Sequence, residues 1–292
     1  MPSKVTMRDL LETGVHFGHR TQKWNPKMSP FIYTARNGIH IIDLRQTLTN
    51  LNAYFDMVAE VVRKGGTILF VGTKRQAQET VFKAAVDCGM PYINERWLGG
   101  TLTNWRTIKE RIDTLKKLEA RRDKGEFSLL TKREALMLQR EIDILNQRLG
   151  GIKDMKRLPE MLVIVDTKRE ETAIKEANAL NIPVLALVDT NCNPDVIDYI
   201  IPGNDDAMRA IKLVVDAIAD AVKEGKAMRK AEDESFDDDA VSAAAPVIDY
   251  EEEDEDEDDE RYLGKSTLAK LRDAKLFDEG GDEESAESAD DE

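Results

Sequence analysis

The chain has 292 residues, enough for one large domain or two ordinary ones with a sizeable core, which excludes a small disulfide-stapled scaffold. It is 34% charged, where an ordinary globular domain is about a quarter charged, so some segment is unusually polar. The net charge of -15 is segregated along the chain: Glu232 to Glu292 holds 27 acidic and 5 basic residues, which leaves 30 acidic and 37 basic before it. A mildly basic body therefore carries an acidic appendage, and the overall acidity does not exclude a polyanionic partner for the body.

In chain order, the first notable stretch is Thr13-Gly14-Val15-His16-Phe17-Gly18-His19-Arg20, then Lys23-Trp24-Asn25-Pro26-Lys27-Met28, then Arg36-Asn37-Gly38-Ile39-His40. Cations alternate with aromatics, and Met1 to Arg45 holds 7 Lys and Arg against 3 Asp and Glu. That combination suits RNA, because cations neutralise phosphates while ring faces and guanidinium planes stack on unpaired bases. An ordinary half-buried loop region with Phe17 and Trp24 in the core explains the same residues equally well.

Thr67-Ile68-Leu69-Phe70-Val71-Gly72 is a short unbroken apolar run, the pattern of a strand buried on both faces of a parallel sheet. Residues 74–88 then place Ala77, Thr80, Val81, Ala84 and Ala85 at helical spacing, with Gly89 as a stop. Met90-Pro91-Tyr92-Ile93 begins another short strand. Gly72-Thr73-Lys74-Arg75 sits where open parallel sheets bind phosphate, but it lacks the spaced glycines of a nucleotide-binding loop. Two cations behind a strand-end glycine serve a nucleic-acid backbone as well. Leu98-Gly99-Gly100-Thr101, beside Arg96 and Trp97, offers flexible backbone or simply a turn.

Residues 101–152 interrupt the alternation of strand and helix. Trp105, Ile108, Ile112 and Leu115 form one heptad seam, and Ala135, Leu138, Ile142, Leu145 and Leu149 form another. Thr131 with Glu134 supplies a capping box between them, so an antiparallel helical hairpin is expected, with arms about 28 Å long. Its outer positions are dense in Lys and Arg, which fits a solvated exterior as well as an RNA-contacting one. Met161-Leu162-Val163-Ile164-Val165-Asp166 and Pro183-Val184-Leu185-Ala186-Leu187-Val188-Asp189 read as further strands. The helix between them is expected to start at a Thr167/Glu170 capping box and to end by Asn181 and Pro183. Tyr199-Ile200-Ile201 resembles one more strand, followed by a long helix to about Gly225. Alternating strand and helix predicts an α/β fold with a parallel sheet covered by helices.

Beyond that helix, Glu251 to Glu260 is an unbroken acidic run that repels itself and has no apolar surface to bury, so disorder is expected. Leu263, Leu268, Leu271 and Leu276 suggest a short helix near 263–277. No apolar run approaches the roughly 20 residues of a bilayer span, and Met1-Pro2-Ser3-Lys4 opens no apolar leader, so a soluble, cytoplasmic protein with no membrane partner is expected. Cys88 and Cys192 lie in no paired-cysteine motif and are expected to be buried free thiols.

All three histidines lie in the N-terminal part. His16 and His19 could meet Asp189, Asp205 or Asp206 if the strand ends converge, giving a mixed nitrogen and oxygen metal site. No Ser or Cys stands in a nucleophile motif, so catalysis has no candidate residue.

Four separated segments agree in order with one family: Gly14-Val15-His16-Phe17-Gly18-His19, Trp24-Asn25-Pro26-Lys27-Met28, Trp97-Leu98-Gly99-Gly100-Thr101-Leu102-Thr103-Asn104, and Pro159-Glu160-Met161-Leu162-Val163-Ile164-Val165-Asp166. They resemble bacterial small-subunit ribosomal protein two, from about Val5 to Ala227, with the acidic tail outside. The resemblance implies a flavodoxin-like parallel sheet without a cofactor, an inserted coiled-coil hairpin and no reaction. It also implies a place on the solvent side of the small subunit between head and body, binding to small-subunit ribosomal RNA, and help in holding ribosomal protein one. The expected organisation is an RNA-binding body over 1–228, the hairpin inserted at 101–152, and an acidic, largely disordered tail over 229–292. Charge and motif position nominate Arg20, Lys23, Trp24, Lys27, Arg36, Lys74, Arg75 and Arg96 as RNA contacts, with Arg106 and Lys109 at the hairpin root. The competing readings are a nucleotide- or metal-dependent enzyme on a doubly wound sheet and a coiled-coil adaptor.

Overall fold

A computed structural model describes residues 5–242, with side chains to Glu232. Contacts divide the chain into Met1–Ala240 and Val241–Glu292. The acidic run and the helix expected near 263–277 lie outside the described residues.

The N-terminal helix α1 (Met7–Thr13) opens with a capping box, Thr6 and Asp9, and closes on Gly14 in the left-handed region. Three short strands follow, β1 (Phe17–Arg20), β2 (Ile32–Arg36) and β3 (Ile39–Ile42), in an antiparallel sheet of order β1-β3-β2. Asn37 and Gly38, both at positive φ, make the tight turn between β2 and β3. Helix α2 (Leu44–Arg63), capped by Asp43, leads into the main sheet.

That sheet has five parallel strands: β4 (Ile68–Val71), β5 (Tyr92–Ile93), β6 (Met161–Val165), β7 (Val184–Val188) and β8 (Tyr199–Pro202). Their order, β5-β4-β6-β7-β8, is the doubly wound flavodoxin-like arrangement. Alternate residues feed two cores. Ile68, Phe70, Met161, Val163, Val165, Leu185 and Leu187 pack with α2, α3 (Arg75–Cys88) and α7 (Met208–Ser242). On the other face Leu69, Val71, Leu162, Ile164, Val184 and Ala186 pack with α6 (Glu171–Ala179), Met28, Trp97 and the hairpin root. Phe70 is wholly buried, and emptying its site would cost about 3–5 kcal/mol.

The hairpin is α4 (Trp105–Asp123) and α5 (Lys132–Leu149), with Leu115, Leu118 and Ile142 forming a small core of their own. The Thr131/Glu134 capping box is present. Two expectations fail. The Thr167/Glu170 capping box does not form: α6 begins at Glu171, and the Glu170 carboxylate instead accepts from Thr73 across the sheet edge. The last helix does not stop at Gly225 but continues to Ser242. Gly225 marks a close approach to α2, where a Cβ would stand 2.4 Å from the Ala59 carbonyl oxygen.

Candidate nucleic-acid interface

The N-terminal sheet is seated on the loop after β7. Gly18 allows this, because a Cβ there would lie 2.6 Å from Thr190 Cγ2. The His19 amide donates to Thr190 Oγ1 at 2.9 Å and the Asn25 amide to the Thr190 carbonyl at 2.8 Å. The cations of β1 and β2 are thereby fixed at the C-terminal edge of the parallel sheet.

Arg20 and Arg36 are both in register with Ile39, one on each side of β3. Residues directly opposite in adjacent strands share a face, so the two arginines flank exposed Ile39 at backbone positions about 10 Å apart. Arg20, Lys23, Arg36, Arg75, Arg96 and Lys109 are exposed, and among the described residues their side chains have no hydrogen-bond or ion-pair partner. Trp24 and Phe17 are exposed rather than core, and Trp24 packs on His40 with ring centroids 5.0 Å apart. Two nominated residues are engaged internally: Lys27 pairs with Asp195, and the half-buried Lys74 lies among carboxylates. Arg106 lies 3.5 Å from Glu110 on its own helix. Sequence reasoning missed Tyr33, an exposed ring on β2 with the Arg45 guanidinium 6.0 Å from its centroid. The Asn37-Gly38 turn is the signal that could have placed it on a hairpin.

The parallel strands deliver a second group of residues to the same edge. Lys74 follows β4, Asp166 follows β6, Asp189 follows β7, and Asp205 and Asp206 follow β8. Lys74 Nζ lies 3.3 Å from Asp166, 2.8 Å from Asp205 and 2.6 Å from Asp206, and its side chain is only 11% exposed. Burial works against that charge, but the bonds to Asp205 and Asp206 outweigh it and raise the lysine pKa. Asp205 is pushed up to about 7, by burial first and then by repulsion from Asp166 and Asp189. His19 reaches Asp189 at 3.0 Å through Nδ1 and Asp206 at 3.3 Å through Nε2, and the bond to Asp189 raises its pKa.

His19, Asp189, Asp205 and Asp206 thus come together as the sequence suggested, while His16 does not join them; its ring lies 4.1 Å from that of Phe17. Lys74, Asp166 and Cys192 belong to the group and were missed, although Asp166 directly after β6, like Asp189 directly after β7, was a readable signal. His19, Asp205 and Asp206 present donor atoms close enough to share a cation, and Asp205 Oδ2 is buried without a hydrogen bond. A cation there would compete with the Lys74 ammonium, which already bridges the two aspartates.

The phosphate position of a nucleotide-binding sheet is closed. The Thr73 amide, which would face a phosphate, donates to Glu170 Oε1 at 3.0 Å, and Arg169 Nε donates to Thr73 Oγ1 at 2.9 Å. Gly72 serves helix packing, since a Cβ would stand 2.8 Å from Val81 Cγ2. The Leu98–Asn104 loop is likewise wrapped around a protein carboxylate. Glu176 accepts from Trp97 Nε1 at 3.0 Å and from the amides of Gly100, Leu102 and Thr103 at 2.8, 2.9 and 3.3 Å. Burial opposes its charge, yet these donors hold it below the ordinary carboxylate range. Among the described residues no helix is long and apolar enough to cross a membrane.

The family model described as ribosomal protein S2 matches residues 10–225. Among curated relatives, the small ribosomal subunit protein uS2 of Oleidesulfovibrio alaskensis is 57% identical over 77% of this chain and 87% of its own length. The protein of the same name from Chloroflexus aggregans is 54% identical over 80% and 98%, and that of Solidesulfovibrio magneticus 55% over 83% and 94%. The family match over most of the chain and these relatives at 54–57% identity together show that the chain belongs to the ribosomal protein S2 family, whose members are structural and non-enzymatic.

Proposed function

We propose that the chain binds small-subunit ribosomal RNA through the edge formed by its N-terminal sheet and the adjoining strand ends. The observation that carries this reading is the set of exposed, unpartnered cations, with Arg20 and Arg36 flanking Ile39 and Lys23 and Trp24 beside them. Unpaired guanidinium groups gain most from phosphate oxygens, which they meet bidentately with release of counterions. Arg75 and Arg96 extend the same edge, and Lys109 adds a cation at the hairpin root. Lys74 acts from behind, neutralising the strand-end aspartates that would otherwise repel a polyanion.

The motif resemblance supports a finer placement: the cytoplasmic small subunit, on its solvent side between head and body, with ribosomal protein one as a neighbour held in part by this chain. Co-sedimentation tests the reading. The tagged full-length chain should travel with small subunits and protect ribosomal RNA from hydroxyl-radical cleavage, and Arg20→Glu with Arg36→Glu should reduce both. Unchanged occupancy and protection in that variant would refute the assignment of this edge.

A second reading concerns the strand-end cluster. The unpartnered Asp205 Oδ2 favours a divalent cation such as zinc held by His19, Asp205 and Asp206. Zinc should then raise the melting temperature of the full chain, and His19→Ala should abolish the rise; a shift that survives His19→Ala would place the ion elsewhere.

A further inference from the structure

The two arms of the hairpin carry different outer faces. At about 3.6 residues per turn, Arg133, Met137, Arg140, Ile144 and Arg148 recur at steps of four, three, four and four residues. They lie along the pole of α5 opposite buried Ile142 and Leu149. Met137 is 61% exposed and Ile144 48%, and Leu136, at 51%, adjoins them. Among the described residues the three arginines have no hydrogen-bond or ion-pair partner. On α4 the exposed face is polar: Lys109, Arg111 and Lys117 are exposed, Arg106 stands beside Glu110, and among the described residues of that arm no large apolar side chain is exposed. An arm that needed only solubility would resemble α4. The pole of α5 instead alternates large apolar groups with uncompensated arginines over about 22 Å of helix.

We propose that this face of α5 docks an acidic amphipathic helix of a neighbouring protein in the small subunit. Met and Arg are the residues enriched where protein surfaces meet, and apolar side chains at helical spacing are what a helix laid alongside requires. Charge complementarity selects the occupant: a helix with Leu or Ile on one side and Asp or Glu flanking them meets both the apolar row and the three guanidinium groups. RNA matches the face less well. A phosphate backbone gains nothing from Met137 and Ile144, and single-stranded bases need aromatic platforms, which this pole lacks.

The inference rests on the small-subunit reading, and its test separates the two. Benzoylphenylalanine is placed at position 137 or 144 of the full-length chain, the chain is incorporated into small subunits, and the purified particles are irradiated. Incorporation is read by co-sedimentation and adducts by mass spectrometry. The expected adduct is a protein segment with acidic and apolar residues at helical spacing, and Arg133→Glu with Arg140→Glu should lower its yield roughly tenfold at unchanged incorporation. Incorporated chain that yields only RNA adducts, or no adduct, overturns the docking inference and leaves the small-subunit reading intact. A chain that fails to enter the particle overturns both. Adduct yield indifferent to the arginine reversals rules out the acidic partner.

Discussion

Replacing Glu176 by alanine should cost the fold about 4 kcal/mol. Glu176 is 7% exposed and accepts four N–H donors, of which Trp97 Nε1 and the Leu102 amide lie in the core. A buried donor left without an acceptor costs about 1–3 kcal/mol, so these two together give roughly 2–6 kcal/mol. The amides of Gly100 and Thr103 are only partly buried and can turn to water. Against a total stability of about 5–15 kcal/mol this is a large fraction, and it corresponds to a fall in melting temperature of about 8–16 °C. Glu176→Gln keeps one acceptor oxygen but turns an NH2 group toward other N–H donors, so roughly half the loss is expected. The pH dependence has a fixed sign. The folded pKa lies below the ordinary value of 4.5, so the contribution is present above that value and lost as pH falls through the folded pKa. The gap between wild type and Glu176→Gln should therefore narrow in acid. Circular-dichroism melts, with Trp97 fluorescence reporting on the hairpin root, measure this; an alanine variant within about 1 kcal/mol of wild type would refute the reasoning.

Three further outcomes are expected. Gly18→Ala should destabilise the chain by about 1–3 kcal/mol in urea titrations, because the new methyl meets Thr190 and the His40 carbonyl, and an unchanged midpoint would show that the N-terminal sheet is not seated as described. Burial pushes both Cys88 and Cys192 up to about 11, so native protein should resist iodoacetamide at pH 8 and react only when unfolded; rapid native alkylation would contradict their burial. Truncation after Ala231 removes 27 acidic and 5 basic residues and should raise non-specific RNA affinity at low salt, whereas equal binding would count against electrostatic self-screening.

The parts of the fold that were legible in the sequence are those with a single dominant cause. Strands β4, β6 and β7 are buried on both faces, so their residues are apolar without interruption. The hairpin announces itself by heptads and by Thr131/Glu134. The N-terminal sheet was not legible because β1 and β2 are short and largely exposed, and their stability comes from docking on Thr190, far along the chain. The Thr167/Glu170 pattern misled for a related reason: Thr73 offers Glu170 both an amide and a hydroxyl donor, and this distant pairing displaced the local cap. At the candidate interface, charge alone marked Arg20, Lys23, Arg36, Arg75 and Arg96, but it could not separate them from Lys74, whose partners Asp205 and Asp206 come from the far end of the sheet.

The salt dependence of RNA binding tests the central claim most directly. For the full-length chain and small-subunit ribosomal RNA, the logarithm of affinity is plotted against the logarithm of salt concentration. Each phosphate contact contributes about 0.7–0.9 to the slope, so Arg20→Glu, Lys23→Glu and Arg36→Glu together should flatten it by about two to three. A wild-type chain with no salt dependence, or a variant whose slope matches wild type, would contradict the account.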